Sequence, residues 1–118
     1  MSLGTVECED KLQIQNEDIL ELLEDFPEMG QKMYNELDRL VGEVDGAFQE
    51  NDLDKVREKA HELKGVVAHL GIEELVSPFQ KVQYMDSMDA ALVSGAVKQL
   101  RDALPTVKKL LEDASKAA

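Results

Sequence analysis

Apolar side chains recur at steps of three and four residues along almost the whole chain, and this periodicity most constrains the fold. The spacing places them on one face of an α-helix, whereas a strand requires strict alternation. The last stripe is the longest and stays in phase across Pro105, which predicts a kinked but continuous helix over about 88–114. Its members are Val93, Val97, Leu100, Leu104, Val107, Leu111 and Ala114.

Two further helices are predicted in the first half of the chain. A short helix lies within about 12–26, with Asn16 near its start as the N-cap. A long amphipathic helix follows over about 28–50. Its Met29 and Met33 could form an adaptable binding surface, but their core spacing favours simple packing.

A central helix is predicted over about 52–70. Either Asn51 or Asp52 is a suitable N-cap, and Gly71 stands where a glycine commonly ends a helix. The polar residues at its start do not indicate a calcium site. The glycine and the final glutamate that an EF-hand loop requires are both absent.

The next helix, within 72–85, has two candidate starts. Ser77 followed by Pro78 has the pattern of an N-cap with proline at the first helical position. Alternatively the helix begins just after Gly71 and contains Pro78, which would distort it. Four amphipathic helices with short connections predict an all-α fold, an antiparallel up-down-up-down four-helix bundle with a short extra N-terminal helix.

Length, charge and cysteine content narrow the classes of function. A chain of 118 residues suits one domain, with 1–10 expected as a flexible tail and 11–118 as the helical bundle. The net charge of −12 argues against nucleic acid and anionic membranes as partners. We find neither a signal peptide nor an apolar run of about 18 residues, so no membrane span is expected. The single Cys8 fits a reducing, cytoplasmic setting.

The central helix carries a histidine on the side opposite its apolar face. His61 has Arg57 at i−4, Lys64 at i+3 and Gly65 at i+4, and Ala68 lies further along the same line. Glycine inside a helix costs about 0.5–1 kcal/mol relative to alanine. One reason to keep glycine there despite this cost is the need for open space beside His61, through which another molecule can approach. The apolar face consists of Val56, Ala60, Leu63, Val67 and Leu70.

The charge around this histidine differs from that of the whole chain. Residues 55–64 hold four basic and two acidic side chains, a local excess of positive charge on an acidic protein. Such a patch suits a phosphoryl group, which brings nearly two negative charges and strong acceptor oxygens. Without further support, however, an isolated surface histidine is usually an ordinary solvated side chain.

The run Ala60-His61-x-x-Lys64-Gly65, followed by Ala68 and Gly71, resembles the signature of histidine-containing phosphotransfer (HPt) domains of bacterial two-component phosphorelays. The resemblance covers about 14–114, nearly the whole chain. It implies the same helical bundle that the periodicity predicts. It also implies a phosphocarrier rather than an ATP-dependent kinase, and the sequence has no glycine-rich nucleotide loop.

The resemblance implies a role for His61 and for two neighbours. His61 would take a phosphoryl group onto Nε2 from the aspartyl phosphate of a receiver domain, or from a kinase, and pass it to another receiver aspartate. Lys64 would stabilise the phosphate. Gln83, 22 residues after the histidine, would hydrogen-bond it, with Gln80 as the substitute if Pro78 displaces the helix.

The resemblance also implies the partners. Response-regulator receiver domains and a hybrid sensor histidine kinase are expected, with the protein itself a monomer. Arg57, Gly65, Val66 and Ala68 would form the partner-binding surface. The protein would need no cofactor or metal of its own, because the receiver supplies Mg²⁺.

Two other functions compete with the phosphocarrier. A di-iron site would use Glu58-x-x-His61, but it needs a second such element and inward-facing ligands, and His69 has Val66 at the matching position. We therefore reject it and interpret His69 as a rim histidine rather than a second acceptor. A non-catalytic interaction or scaffold module with the same bundle remains the alternative.

Overall fold

A computed structural model describes residues 12–115, and within them the chain forms five helices and no strand. The helices are α1 (Glu17–Asp25), α2 (Glu28–Gln49), α3 (Leu53–Leu70), α4 (Glu73–Gln83) and α5 (Ala90–Ser115). The all-α class is confirmed. The tail predicted at 1–10 lies outside the described residues.

Helices α2 to α5 form a four-helix bundle. α3 packs between α2 and α4, and α5 closes the bundle by packing against the same two helices. α5 is therefore diagonal to α3. The short helix α1 covers α5 and the start of α2. Short connections between sequential neighbours give the predicted up-down-up-down arrangement.

The predicted apolar face of α3 is the buried face. Its five members are fully inaccessible to solvent, and each fully buried valine or leucine among them stabilises the fold by about 1.5–3 kcal/mol. α5 is one continuous helix across Pro105, and its whole predicted stripe is buried. At the start of α2 the predicted core residues are less buried. Met29 and Met33 pack against the core but remain half-exposed.

Specific polar contacts hold both ends of α3. Asp52 is the N-cap, and its carboxylate accepts a hydrogen bond from the Lys55 backbone N–H at 3.1 Å. Gly71 ends the helix with φ +78°, and a Cβ there would lie only 3.0 Å from the Asn16 backbone nitrogen. The Asn16 side chain caps α1 and also donates to the His69 carbonyl at 2.8 Å. These contacts fix the position of α3 in the bundle.

α4 begins directly after Gly71 and contains Pro78, so the alternative start at the proline is wrong. Proline lacks an N–H, which leaves the Glu74 carbonyl without its helical partner. The Gln99 side chain, on α5, donates to that carbonyl at 3.2 Å. The helix therefore continues through the proline as far as Gln83.

We predict that Gln99 and Pro78 are energetically coupled. Gln99→Ala should lower the free energy of unfolding by about 0.5–1 kcal/mol, because the Glu74 carbonyl loses its donor. In a Pro78→Ala background the new backbone N–H takes that carbonyl, so the same change should cost close to nothing. Urea denaturation of the four proteins in this cycle measures the coupling. Equal losses in both backgrounds would contradict it.

Candidate functional site

His61 projects from the exposed side of α3 and meets the end of α4. Its Nδ1 atom lies 2.8 Å from the side-chain nitrogen of Gln83, the last residue of α4. Within residues 12–115 no hydrogen bond reaches the other ring nitrogen, Nε2. The contact therefore orients the ring through Nδ1 and leaves Nε2 for an approaching molecule.

Arg57, one turn before His61 on α3, also reaches the end of α4. Its Nε donates to the Gln83 backbone carbonyl at 3.0 Å, and its side chain is half-buried. The sequence placed Arg57 in the partner-binding surface, and the structure adds this contact within the domain. A depression of about 390 Å³ brings together Asp54, Arg57, Glu58, His61, Gln83 and Tyr84.

Two of the four cations near His61 are already paired with carboxylates. Lys55 lies 3.7 Å from Glu50, and Lys59 lies 3.2 Å from Glu43 and 3.3 Å from Glu62. Hydrogen bonding to Lys59 lowers the pKa of Glu43 below its usual value, and the same bond raises the pKa of Lys59. Lys59 therefore ties α3 to α2 and adds little positive charge to the site.

The positive patch is consequently narrower than the sequence suggests. Only Arg57 and Lys64 form no ion pair among the cations of residues 55–64. They lie on either side of His61 along α3. Asp54 and Glu58 border the same depression, so the surface carries both signs of charge.

Tyr84 is a site residue that the sequence reasoning missed. Tyr84 is 63% exposed, and the Lys64 ammonium lies 5.7 Å from its ring centroid, within the range of a cation–π contact. One signal could have found it, since aromatic residues make up only 4% of this chain and this one directly follows Gln83. The end of α4 thus supplies contacts to both His61 and Lys64.

A second depression, of about 490 Å³, runs between α2 and α3 and includes Gly65, one turn after His61. It is lined by Met29, Lys32, Met33, Glu36, Glu62, Gly65, Val66 and His69. The interpretation of the two methionines as simple packing is therefore incomplete, because they also border this open surface. A Cβ at Gly65 would meet nothing within 4 Å, so internal packing does not require glycine there.

Ala68, the fourth residue of the predicted partner-binding surface, lies elsewhere. Ala68 is exposed but borders a separate depression of about 330 Å³ between α3 and α4, together with Gln80. Gln83, rather than Gln80, is the glutamine in contact with His61. The structure therefore groups Arg57 and Gln83 with His61, while Ala68 lies outside that group.

The geometry disfavours a di-iron site. Glu58 and His61 both lie on the exposed side of α3, whereas that chemistry needs ligands facing the bundle interior. Across residues 12–115 no three potential metal ligands come together as a group. None of the helices in the described part of the chain has the length and apolar character needed to cross a membrane.

Comparison with protein families identifies the class of protein. The family model of the Hpt domain matches residues 19–116, most of the chain. The chain therefore belongs to the Hpt family, whose members are phosphocarriers of two-component phosphorelays. A search of curated proteins and a search of solved structures found no significant match.

Proposed function

We propose that His61 is the phosphoacceptor of a phosphorelay carrier. It takes a phosphoryl group from a receiver-domain aspartate, or from a kinase, and passes it to the aspartate of another receiver. The observation that carries this proposal is the exposed His61 ring on α3, which Gln83 at the end of α4 contacts through Nδ1. The chain that holds this pair belongs to the Hpt family. Lys64 and the open position at Gly65 flank that ring.

The chemical step requires a neutral imidazole with its lone pair on Nε2. That lone pair attacks phosphorus, the bond from phosphorus to the aspartyl oxygen breaks, and the carboxylate leaves with the bonding electrons. The proton on Nδ1 stays in place. In-line placement and charge neutralisation dominate such a transfer, so Lys64 acts as a point charge beside the phosphoryl oxygens.

The partners follow from the same surface. Receiver domains and a hybrid sensor histidine kinase approach over the face that holds His61, Gly65 and Val66, and the receiver brings the Mg²⁺. A monomer keeps this face accessible. The net charge of −12 disfavours nucleic acid as a partner, and a cytoplasmic location suits an exchange with receivers.

The test is incubation of the protein with a panel of aspartyl-phosphorylated receivers and Mg²⁺. We expect acid-labile, alkali-stable phosphate to appear on the protein as it disappears from at least one receiver. A folded protein that binds receivers but takes no phosphate from any of them would contradict the carrier. That result would favour the non-catalytic interaction module instead.

A further inference from the structure

Two residues one turn apart on α3 converge on a single residue of α4. Arg57 Nε donates to the Gln83 backbone carbonyl at 3.0 Å, while the Gln83 side chain contacts His61 Nδ1 at 2.8 Å. Gln83 is the last residue of its helix, where carbonyl groups have no helical donor. The guanidinium thus provides a hydrogen-bond donor from outside the helix.

The amide of Gln83 has one engaged end and one unengaged end. Its nitrogen faces His61 Nδ1, whereas its Oε1 atom is buried and has no hydrogen-bond partner in the described part of the chain. A half-turn of the amide exchanges the two ends and places Oε1 against Nδ1 at a similar distance. The oxygen can then accept a proton from the ring.

These two orientations correspond to different tautomers of the histidine. With the amide nitrogen toward Nδ1, that ring atom accepts and the proton resides on Nε2, which leaves Nε2 without a lone pair for attack. With Oε1 toward Nδ1, the proton resides on Nδ1 and the lone pair on Nε2 is available. The orientation of the Gln83 amide therefore governs whether His61 can act as a nucleophile.

We propose that Arg57 is a positioning residue for phosphoryl transfer. Its hydrogen bond holds the Gln83 peptide at the end of α4, and the Gln83 amide, turned so that Oε1 meets Nδ1, in turn holds His61 in the tautomer with its lone pair on Nε2. The consequence for transfer rests on the proposed function of His61. The consequence for the tautomer does not, because it exists in the unphosphorylated protein.

Three substitutions of Arg57 distinguish the effect of its Nε hydrogen-bond donor from the effect of its positive charge. Arg57→Gln keeps an N–H donor on the same carbon that carries Nε, but removes the charge. Arg57→Lys keeps the charge and places a methylene where Nε stood. Arg57→Met has similar length and neither property. All three side chains favour helix and suit a half-buried surface position, so the fold should persist.

Two measurements are made on each variant. The first is the tautomer of neutral His61, read from the ¹⁵N shifts of its ring nitrogens, with His69 as the internal reference. The second is the maximal rate of transfer from a phosphorylated receiver and the receiver concentration that gives half of it. We expect Arg57→Gln to keep the wild-type tautomer. Arg57→Lys and Arg57→Met should shift the proton toward Nε2 and lower the maximal rate about 10-fold relative to Arg57→Gln.

The opposite pattern would overturn the proposal. If Arg57→Lys matches wild type while Arg57→Gln falls with Arg57→Met, the charge matters and the donor does not. An identical tautomer in all four proteins would overturn it as well. If wild-type protein accepts no phosphate but the His61 tautomer still shifts in Arg57→Lys and Arg57→Met, the proposed function fails and the positioning role of Arg57 stands.

Discussion

Replacing His61 with glutamine should abolish phosphoryl transfer to this protein, with a loss of at least about 10³-fold, as for other essential nucleophiles. Glutamine retains polarity and size but has no nucleophilic ring nitrogen. The fold should survive, because the ring is exposed and its recorded hydrogen bond is the one to Gln83 at the surface. Acid-labile phosphate measures transfer, and thermal unfolding by circular dichroism measures the fold.

His69→Gln is the matched control for that experiment. His69 lies on the same helix and is also exposed, but its carbonyl, rather than its ring, makes the recorded contact to Asn16. Its replacement should leave transfer close to the wild-type rate. Equal loss in both variants, or retained transfer in His61→Gln, would contradict the assignment of His61 as the acceptor.

The second large effect is expected at Gly65, where stability and transfer should change in opposite directions. Helical side chains lean toward the N-terminus, so a leucine at position 65 would lie over His61, one turn earlier. Transfer from receivers should fall about 10–100-fold, because the phosphorylated partner can no longer reach the ring in line. The free energy of unfolding should rise by about 0.5–1 kcal/mol, since leucine favours helix and a Cβ there meets nothing within 4 Å.

Gly95→Leu is the control for the Gly65 prediction. Gly95 is an exposed glycine of α5, the helix diagonal to α3, and a Cβ there also meets nothing within 4 Å. This variant should be stabilised by a similar amount and transfer at the wild-type rate. Phosphoramidate, a small donor, should still label Gly65→Leu more readily than a receiver does. Unchanged transfer from receivers in Gly65→Leu would show that they do not approach over this position.

The helices and the outward direction of His61 could be predicted from sequence because both depend on local periodicity. A residue opposite a stripe of buried side chains must face solvent, whatever the stripe packs against. The course of α4 through Pro78 could not be predicted in this way. It depends on Gln99, a residue on another helix that satisfies the carbonyl freed by the proline.

The chemistry of the site was predictable only in part, because it too depends on contacts between helices. The resemblance pointed to Gln83 as the partner of His61, and the structure brings the two together. The contacts of Arg57 and Tyr84 depend on how the end of α4 meets α3, which a linear pattern does not contain. Counting charges overstated the positive patch, since Lys59 pairs with a carboxylate on α2.

Localisation of the phosphoryl group tests the central claim most directly. Wild-type protein, labelled by its fastest receiver, is digested under alkaline conditions and fragmented by electron transfer to find the modified residue. The predicted result is one phosphoryl group on His61, with ring ¹⁵N shifts that place it on Nε2. Phosphate on His69 or any other residue, or none on a folded protein that binds the receiver, would contradict the account.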